Sequence, residues 1–178
     1  MTKEVLYGKE SRDRILAGVQ KITKAVGSTM GASGKCCLIG NAEYGQDGMV
    51  NLPTIISKDG YTVAKHFRLP DAVEQRGAMM IIEAATKTVN EAGDATTCTS
   101  VLAGNLIENG MKLIDEGANS QQLKKGMDKA LEYVVGELKK MSTPVKGDIE
   151  RIRQIATVSA NNDKVIGDLI ADAYSKIG

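Results

Sequence analysis

Apolar residues recur at three- and four-residue intervals along most of this chain, the spacing of one face of an α-helix. Ile15, Leu16, Val19, Ile22, Val26 and Met30 form the first stripe, with Ser11 placed to cap it and Gly31 to stop it. Pro70-Asp71 opens a second stripe through Ala78, Met79, Ile82, Ala85 and Val89, ended by Ala92-Gly93. A third follows Thr97 through Val101, Leu102, Leu106, Ile107 and Met111 to the region of Gly117. A fourth, from Ser120, sets Leu123, Met127, Leu131, Val134, Val135 and Leu138 on one face. Between the first two stripes the pattern changes. Cys36-Cys37-Leu38-Ile39 reads as a short strand, Asn41 to Leu52 as a loop or hairpin tip with turns at Gly45 and Asp47-Gly48, and Thr54-Ile55-Ile56 as the returning strand. Ser142-Thr143-Pro144 breaks the helical pattern and marks the expected domain boundary. Two shorter helices follow, one through Ile149, Ile152 and Ile155, the other through Val165, Ile166, Leu169, Ile170 and Ala173. The fold class predicted is mainly α with a small β-hairpin.

Composition narrows the function classes. With 23 basic and 22 acidic residues the formal net charge is +1, which gives no electrostatic argument for a nucleic-acid or anionic-membrane partner. There is no Trp and a single Phe, Phe67, so no basic segment is interleaved with aromatics. The apolar runs fall short of a membrane span, and Met1-Thr2-Lys3-Glu4 lacks a signal peptide's apolar core. The expected location is the cytoplasm. Cys36, Cys37 and Cys98 show no C-x-x-C spacing and read as buried free thiols of a reducing compartment. His66, the only histidine, reads as a surface or packing residue after a helical turn, and Met30, Met79 and Met80 read as core filling. The charged faces around Lys124-Lys125, Asp128-Lys129 and Lys139-Lys140 read as solvated surface or subunit contacts.

Chemistry enters at Gly93-Asp94-Ala95-Thr96-Thr97-Cys98-Thr99-Ser100. A glycine-acid turn leads through hydroxyls into a helix, whose first amides and positive dipole end suit a phosphate. Asp94 is placed either to hold a cation bridging phosphate oxygens or simply to cap that helix. Thr29-Met30-Gly31-Ala32-Ser33-Gly34-Lys35 closes the first helix with a second small-residue loop, and Ser57-Lys58-Asp59-Gly60 ends the hairpin with an acid at a turn. Gly31 and Gly34 let backbone approach phosphate closely. This is not a Walker loop. Counted back from Gly34-Lys35 the required first glycine falls on Thr29, and Cys36 stands where a metal-binding hydroxyl is needed.

Taken in this order, the three segments resemble the nucleotide site of the group I, GroEL-like chaperonins. The resemblance runs from Val5 to the C-terminus and includes Thr157-Val158-Ser159-Ala160-Asn161-Asn162-Asp163. It implies a chaperonin equatorial helical bundle with a small hairpin over residues 1–141, its first half, and the ascending segment of the intermediate domain over 142–178. The apical domain and the returning halves are absent, so the chain reads as a fragment of a longer chaperonin, inactive by itself. By the same resemblance ATP would contact Thr29, Met30, Gly31 and Ala32, Lys58, and Asp94, Ala95, Thr96, Thr97 and Cys98. Asp94 matches the family's Mg2+ ligand, Thr29 and Lys58 lie where it binds K+, and Asp59 matches the acid near the γ-phosphate and the attacking water.

Some residues depart from that family. Ala32 and Ser33 replace proline and lysine, Ala95 replaces a glycine, Cys98 replaces a threonine, and Tyr44 to Asn51 has no clear counterpart. The implied partners are copies of the chain in a homo-oligomeric ring, with unfolded polypeptides and a cochaperonin engaged through the apical domain; no nucleic acid or membrane is implied. An ATP-hydrolysing folding chaperonin is the leading reading. A truncated, non-catalytic subunit that co-assembles with or regulates rings is the alternative, and an unrelated small kinase a third.

Overall fold

The structure, a computed structural model, describes residues 5–45, 48–160 and 162–177, and of residues 41–45 and 48–52 the backbone alone. The expected turn residue Asp47, the N-terminal Met1 to Glu4 and Asn161 of the late segment lie outside the described residues. Contacts divide the chain into two compact units, residues 1–123 and 124–178. The division falls a helix earlier than the break at Ser142-Pro144.

In the first unit α1 (Gly8–Gly27) packs against α3 (Ala72–Ala92) and α4 (Thr96–Asp115), while α2 (Gly60–His66) lies beside α1 and α3. The fold class is as expected, mainly α with one antiparallel hairpin, β1 (Cys37–Gly45) and β2 (Gly48–Ser57). The core is Val19, Ile22, Val26, Val63, Ala64, Ala78, Ile81 and Ala85. Its geometry rests on two glycines. A Cβ on Gly18 would lie 1.8 Å from the Glu74 carbonyl oxygen, and one on Gly77 would lie 2.0 Å from that of Ile15. The α1 and α3 backbones therefore touch at their crossing, and small residues are obligatory there. Polar pairs flank it: Arg14 donates to Asp71 at 2.7 Å, and Lys21 pairs with Glu74. Arg12 ties α1 to α4 through Asp115 at 2.9 Å.

Several expectations are corrected. α1 begins before Ser11, with Tyr7 at the N-cap, because Lys9 and Glu10 favour helix and Lys9 pairs with Asp13 one turn on. It ends at Gly27 rather than Gly31, since Thr29 and Met30 close tighter turns onto Val26 and Gly27. Met30 is thereby carried out of the helix and lies half exposed, as do Met79 and Met80. The buried face of α3 is Gly77, Ala78, Ile81 and Ala85, because close approach to α1 selects small side chains over thioethers. Leu102 and Leu106 of α4 are likewise exposed, and the face turned inward carries Thr96, Ser100 and Gly104. Most of the segment expected as a loop or hairpin tip is hairpin ladder: β1 runs to Gly45 and β2 begins at Gly48. The register shifts between Ile39, opposite Ile55, and Asn41, opposite Leu52. Pro53 and Thr54 thus oppose Gly40, a bulge that accommodates a residue lacking an N–H. The thiols are free but not buried, for Cys36 and Cys98 are exposed and Cys37 is half-buried.

α3 is delimited as its sequence predicts. Asp71 caps its first turn, accepting from the amides of Val73 and Glu74, each at 2.9 Å, and Gly93 ends it at φ 74°. His66 is exposed and hydrogen-bonds the Thr62 carbonyl from the last turn of α2.

α5 (Ser120–Met141) has no buried residue. In the second unit α6 (Ile149–Ser159) and α7 (Lys164–Ile177) form a helical pair. Arg153 holds it by pairing with Asp168, a bond that raises the guanidinium pKa further above its usual value. No helix of the described residues is long and apolar enough to cross a membrane.

Gly18→Ala should lower stability by about 2 kcal/mol or more, because backbone, not a flexible side chain, occupies the Cβ position. Chemical denaturation of the native protein and the variant measures this. An unchanged midpoint would mean that the crossing is looser than described. The Glu74 amide, then the Arg14 guanidinium, hold the Asp71 pKa below its usual value of 3.8. A carboxylate so depressed adds stability that is complete above 3.8 and is lost as pH falls through the folded value. The stability gap between the native protein and Asp71→Asn should therefore be constant near neutrality and shrink below that pH. A gap independent of pH would overturn the assignment.

Candidate functional site

The loop after α1, the turn before α2 and the start of α4 meet at Thr97. The Thr29 hydroxyl donates to the Val26 carbonyl at 2.8 Å and lies 3.3 Å from the Thr97 hydroxyl. A hydroxyl has one proton to give, so Thr97 is the donor in the second contact. From the other side Gly60 presses on the same threonine: a Cβ there would fall 2.0 Å from Thr97 Oγ1. Gly34 folds back beneath Thr29, its own Cβ position lying 2.2 Å from the Thr29 carbonyl oxygen. Lys35 N–H closes the loop onto the Ser28 carbonyl at 2.8 Å, and Gly31 turns it at φ 74°. Residues far apart in sequence thus form one small-residue cluster, in which Thr29 and Thr96 are buried.

The acids differ in their surroundings. Asp59 caps α2, its Oδ2 accepting from the Thr62 amide at 2.8 Å and the Thr62 hydroxyl at 2.6 Å. Asp94 is exposed and does not cap α4. The N-cap is Ala95, at φ 68° and ψ 17°, and no side chain caps this helix. Asp94 Oδ1 instead accepts from the Ala95 amide at 2.6 Å. The amides of Thr96, Thr97 and Cys98 consequently point out of the first turn without intrahelical acceptors, as an anion site requires.

Met30, Ala32, Lys58 and Cys98 are exposed and make no hydrogen bond or ion pair with the other candidate residues among those described. Among the described residues no three His, Cys, Asp or Glu side chains come together to hold a metal. A Mg2+ carried by nucleotide phosphates needs only one or two protein carboxylates, and Asp94 Oδ2, without a hydrogen bond among the described residues, offers one. Thr62 is the site residue that sequence reading passed over, and Gly60 was read only as part of a turn. The spacing Asp59-x-x-Thr62 was the available signal, since an N-cap acid faces the amide three residues on.

Ala95→Gly should raise the melting temperature, because a Cβ at positive φ costs about 1 kcal/mol that glycine does not incur. A fall in the melting temperature would show that Ala95 carries no strain.

The chain as a whole has counterparts among known proteins. Residues 22–178 match the TCP-1/cpn60 chaperonin family. A group III chaperonin in the open state has the same fold over 94% of this chain, with a TM-score of 0.76 and 23% identity. The chaperonin gp146 of bacteriophage EL (Pseudomonas aeruginosa), in the presence of ATP-BeFx, matches 96% of this chain with a TM-score of 0.76 and 28% identity. The chain spans 32% and 28% of the lengths of those two proteins.

Proposed function

This chain belongs to the TCP-1/cpn60 chaperonin family, and from that premise we propose that it supplies the ATP-binding part of a ring-forming, ATP-hydrolysing folding chaperonin of the group I type. Residues 1–141 are assigned to the first half of the equatorial domain and 142–178 to the ascending intermediate segment. Unfolded polypeptides, a cochaperonin and the apical domain that would engage them belong to the whole protein, as does its cytoplasmic location. The observation that carries the reading is the convergence on Thr97 of the Thr29 loop, the Asp59-Gly60 turn and the uncapped start of α4. The similar chaperonin gp146 was crystallised in the presence of ATP-BeFx, which supports a nucleotide as the ligand class.

In this reading the amides of Thr96, Thr97 and Cys98 and the loop from Thr29 to Ala32 hold the phosphates. Asp94 holds Mg2+, which when bound neutralises phosphate charge, and Thr29 and Lys58 border a K+ position. Asp59 accepts a hydrogen bond from the attacking water and aligns it. The alternative, a subunit that co-assembles without hydrolysing ATP, draws on Ala95, whose Cβ stands in the turn from which the phosphate amides start.

Calorimetric titration of the native protein with ATP, with and without Mg2+, tests the assignment. Asp94→Ala should abolish the Mg2+ dependence of binding. Asp59→Ala should leave ATP bound while slowing turnover roughly 10²–10⁴-fold. ATP binding without turnover in the native protein would favour the non-catalytic subunit, and absence of ATP binding would overturn both readings.

A further inference from the structure

Resting on that reading of Asp59, we propose that Thr62 is its positioning residue, the side chain that fixes which carboxylate oxygen faces water. A helix cap needs only one bond, from the amide three residues on to the carboxylate, and Thr62 N–H donates it to Asp59 Oδ2 at 2.8 Å. The second bond, from Thr62 Oγ1 to the same oxygen at 2.6 Å, is not required for capping. It is a short, charge-assisted bond of the stronger kind.

With both donors on Oδ2, rotation of the carboxylate would break two bonds at once. The backbone is held as well, since Asp59 N–H donates to Ser57 Oγ at 3.0 Å. Oδ1 accepts no hydrogen bond among the described residues and is the oxygen left for water. Gly60, immediately after, is buried against Thr97, so the fixed carboxylate is registered to the phosphate-facing end of α4 by direct contact. Alignment of a nucleophile is sensitive to displacements of about 1 Å, which is why a residue one bond removed from water governs turnover.

Thr62→Val keeps shape and amide but removes the hydroxyl; Thr62→Ser keeps both donors. In the native protein at saturating ATP, Thr62→Val should lower turnover about tenfold through misalignment of the water, with KM nearly unchanged and the protein still fully folded at the assay temperature. Thr62→Ser should restore it. The decisive arm is a double-mutant cycle: once Asp59→Ala has removed the carboxylate, Thr62→Val should cost nothing further. Should the valine variant fail to fold, Thr62→Ala is read in the same cycle. Full turnover in Thr62→Val, failure of serine to rescue, or an equal loss in the Asp59→Ala background would overturn the proposal while leaving the ATPase reading intact. Unchanged turnover in Asp59→Ala alone would overturn the reading of Asp59, and this proposal with it.

Discussion

Contact between the backbones of α1 and α3 governs the rest of the first unit. Gly18 meets the Glu74 carbonyl and Gly77 meets that of Ile15, so the two helices cross with nothing between them. Each glycine lies in the interior of its helix, where it costs about 1 kcal/mol of helix propensity relative to alanine. The compensation is packing, since Val19, Ile22, Val26, Ala78, Ile81 and Ala85 reach full burial around the crossing. The ends of both helices are thereby fixed. The C-terminus of α1 delivers Thr29, that of α3 delivers Gly93 and Asp94, and α4 is held on α1 by Gly104 packing against Thr23. Positions at the candidate site are consequences of contacts made far from it.

The order and approximate limits of six of the seven helices among the described residues were legible in the sequence because the apolar period is strong and the stops are chemically distinct; the short α2 after Asp59 carries too little of that period and was missed. Asp71 and Gly93 bound α3 as an acid cap and a left-handed glycine should. The buried face was less legible. Periodicity weighted Met79 and Ile82, yet burial follows Gly77, Ala78, Ile81 and Ala85, because the crossing rewards closeness rather than bulk. Hairpin length was misjudged for a related reason. Gly45 and Asp47-Gly48 suggested a loop or hairpin tip from Asn41 to Leu52, whereas among the described residues the ladder reaches the pair Gly45–Gly48, with a register shift at Gly40 opposite Pro53-Thr54. Sequence pattern reports which residues are compatible with an element and does not report which partner will be present.

At the candidate site the three segments were readable singly. Their meeting was not, because it depends on Thr97, whose hydroxyl bonds Thr29 and whose side chain seats Gly60. Gly60 had no reading of its own beyond a turn. Its need to be glycine is set by a residue 37 positions later (97 − 60) on another helix, and no local rule contains that information.

Two small residues at this candidate site answer different constraints, and the difference explains why a side chain is admissible at one of them and not at the other. At Gly60 the obstacle is another atom: a Cβ would sit 2.0 Å from Thr97 Oγ1, well inside van der Waals contact, and relief would require the Thr97 side chain to rotate off Thr29 or α2 and α4 to part. At Ala95 the obstacle is torsional. With φ at 68° and ψ at 17° the residue occupies the left-handed well, where a Cβ costs about 1 kcal/mol but fits, and the exposed position puts no neighbour in its way. A torsional cost of that size is within the margin a folded domain can absorb, whereas a steric overlap of that depth forces a rearrangement. Alanine is therefore admissible at 95 without loss of the turn, and the amide of Ala95 still reaches Asp94 Oδ1 at 2.6 Å. The substitution leaves the acid and the uncapped helix start in place and spends a small part of the stability that the α1–α3 crossing provides.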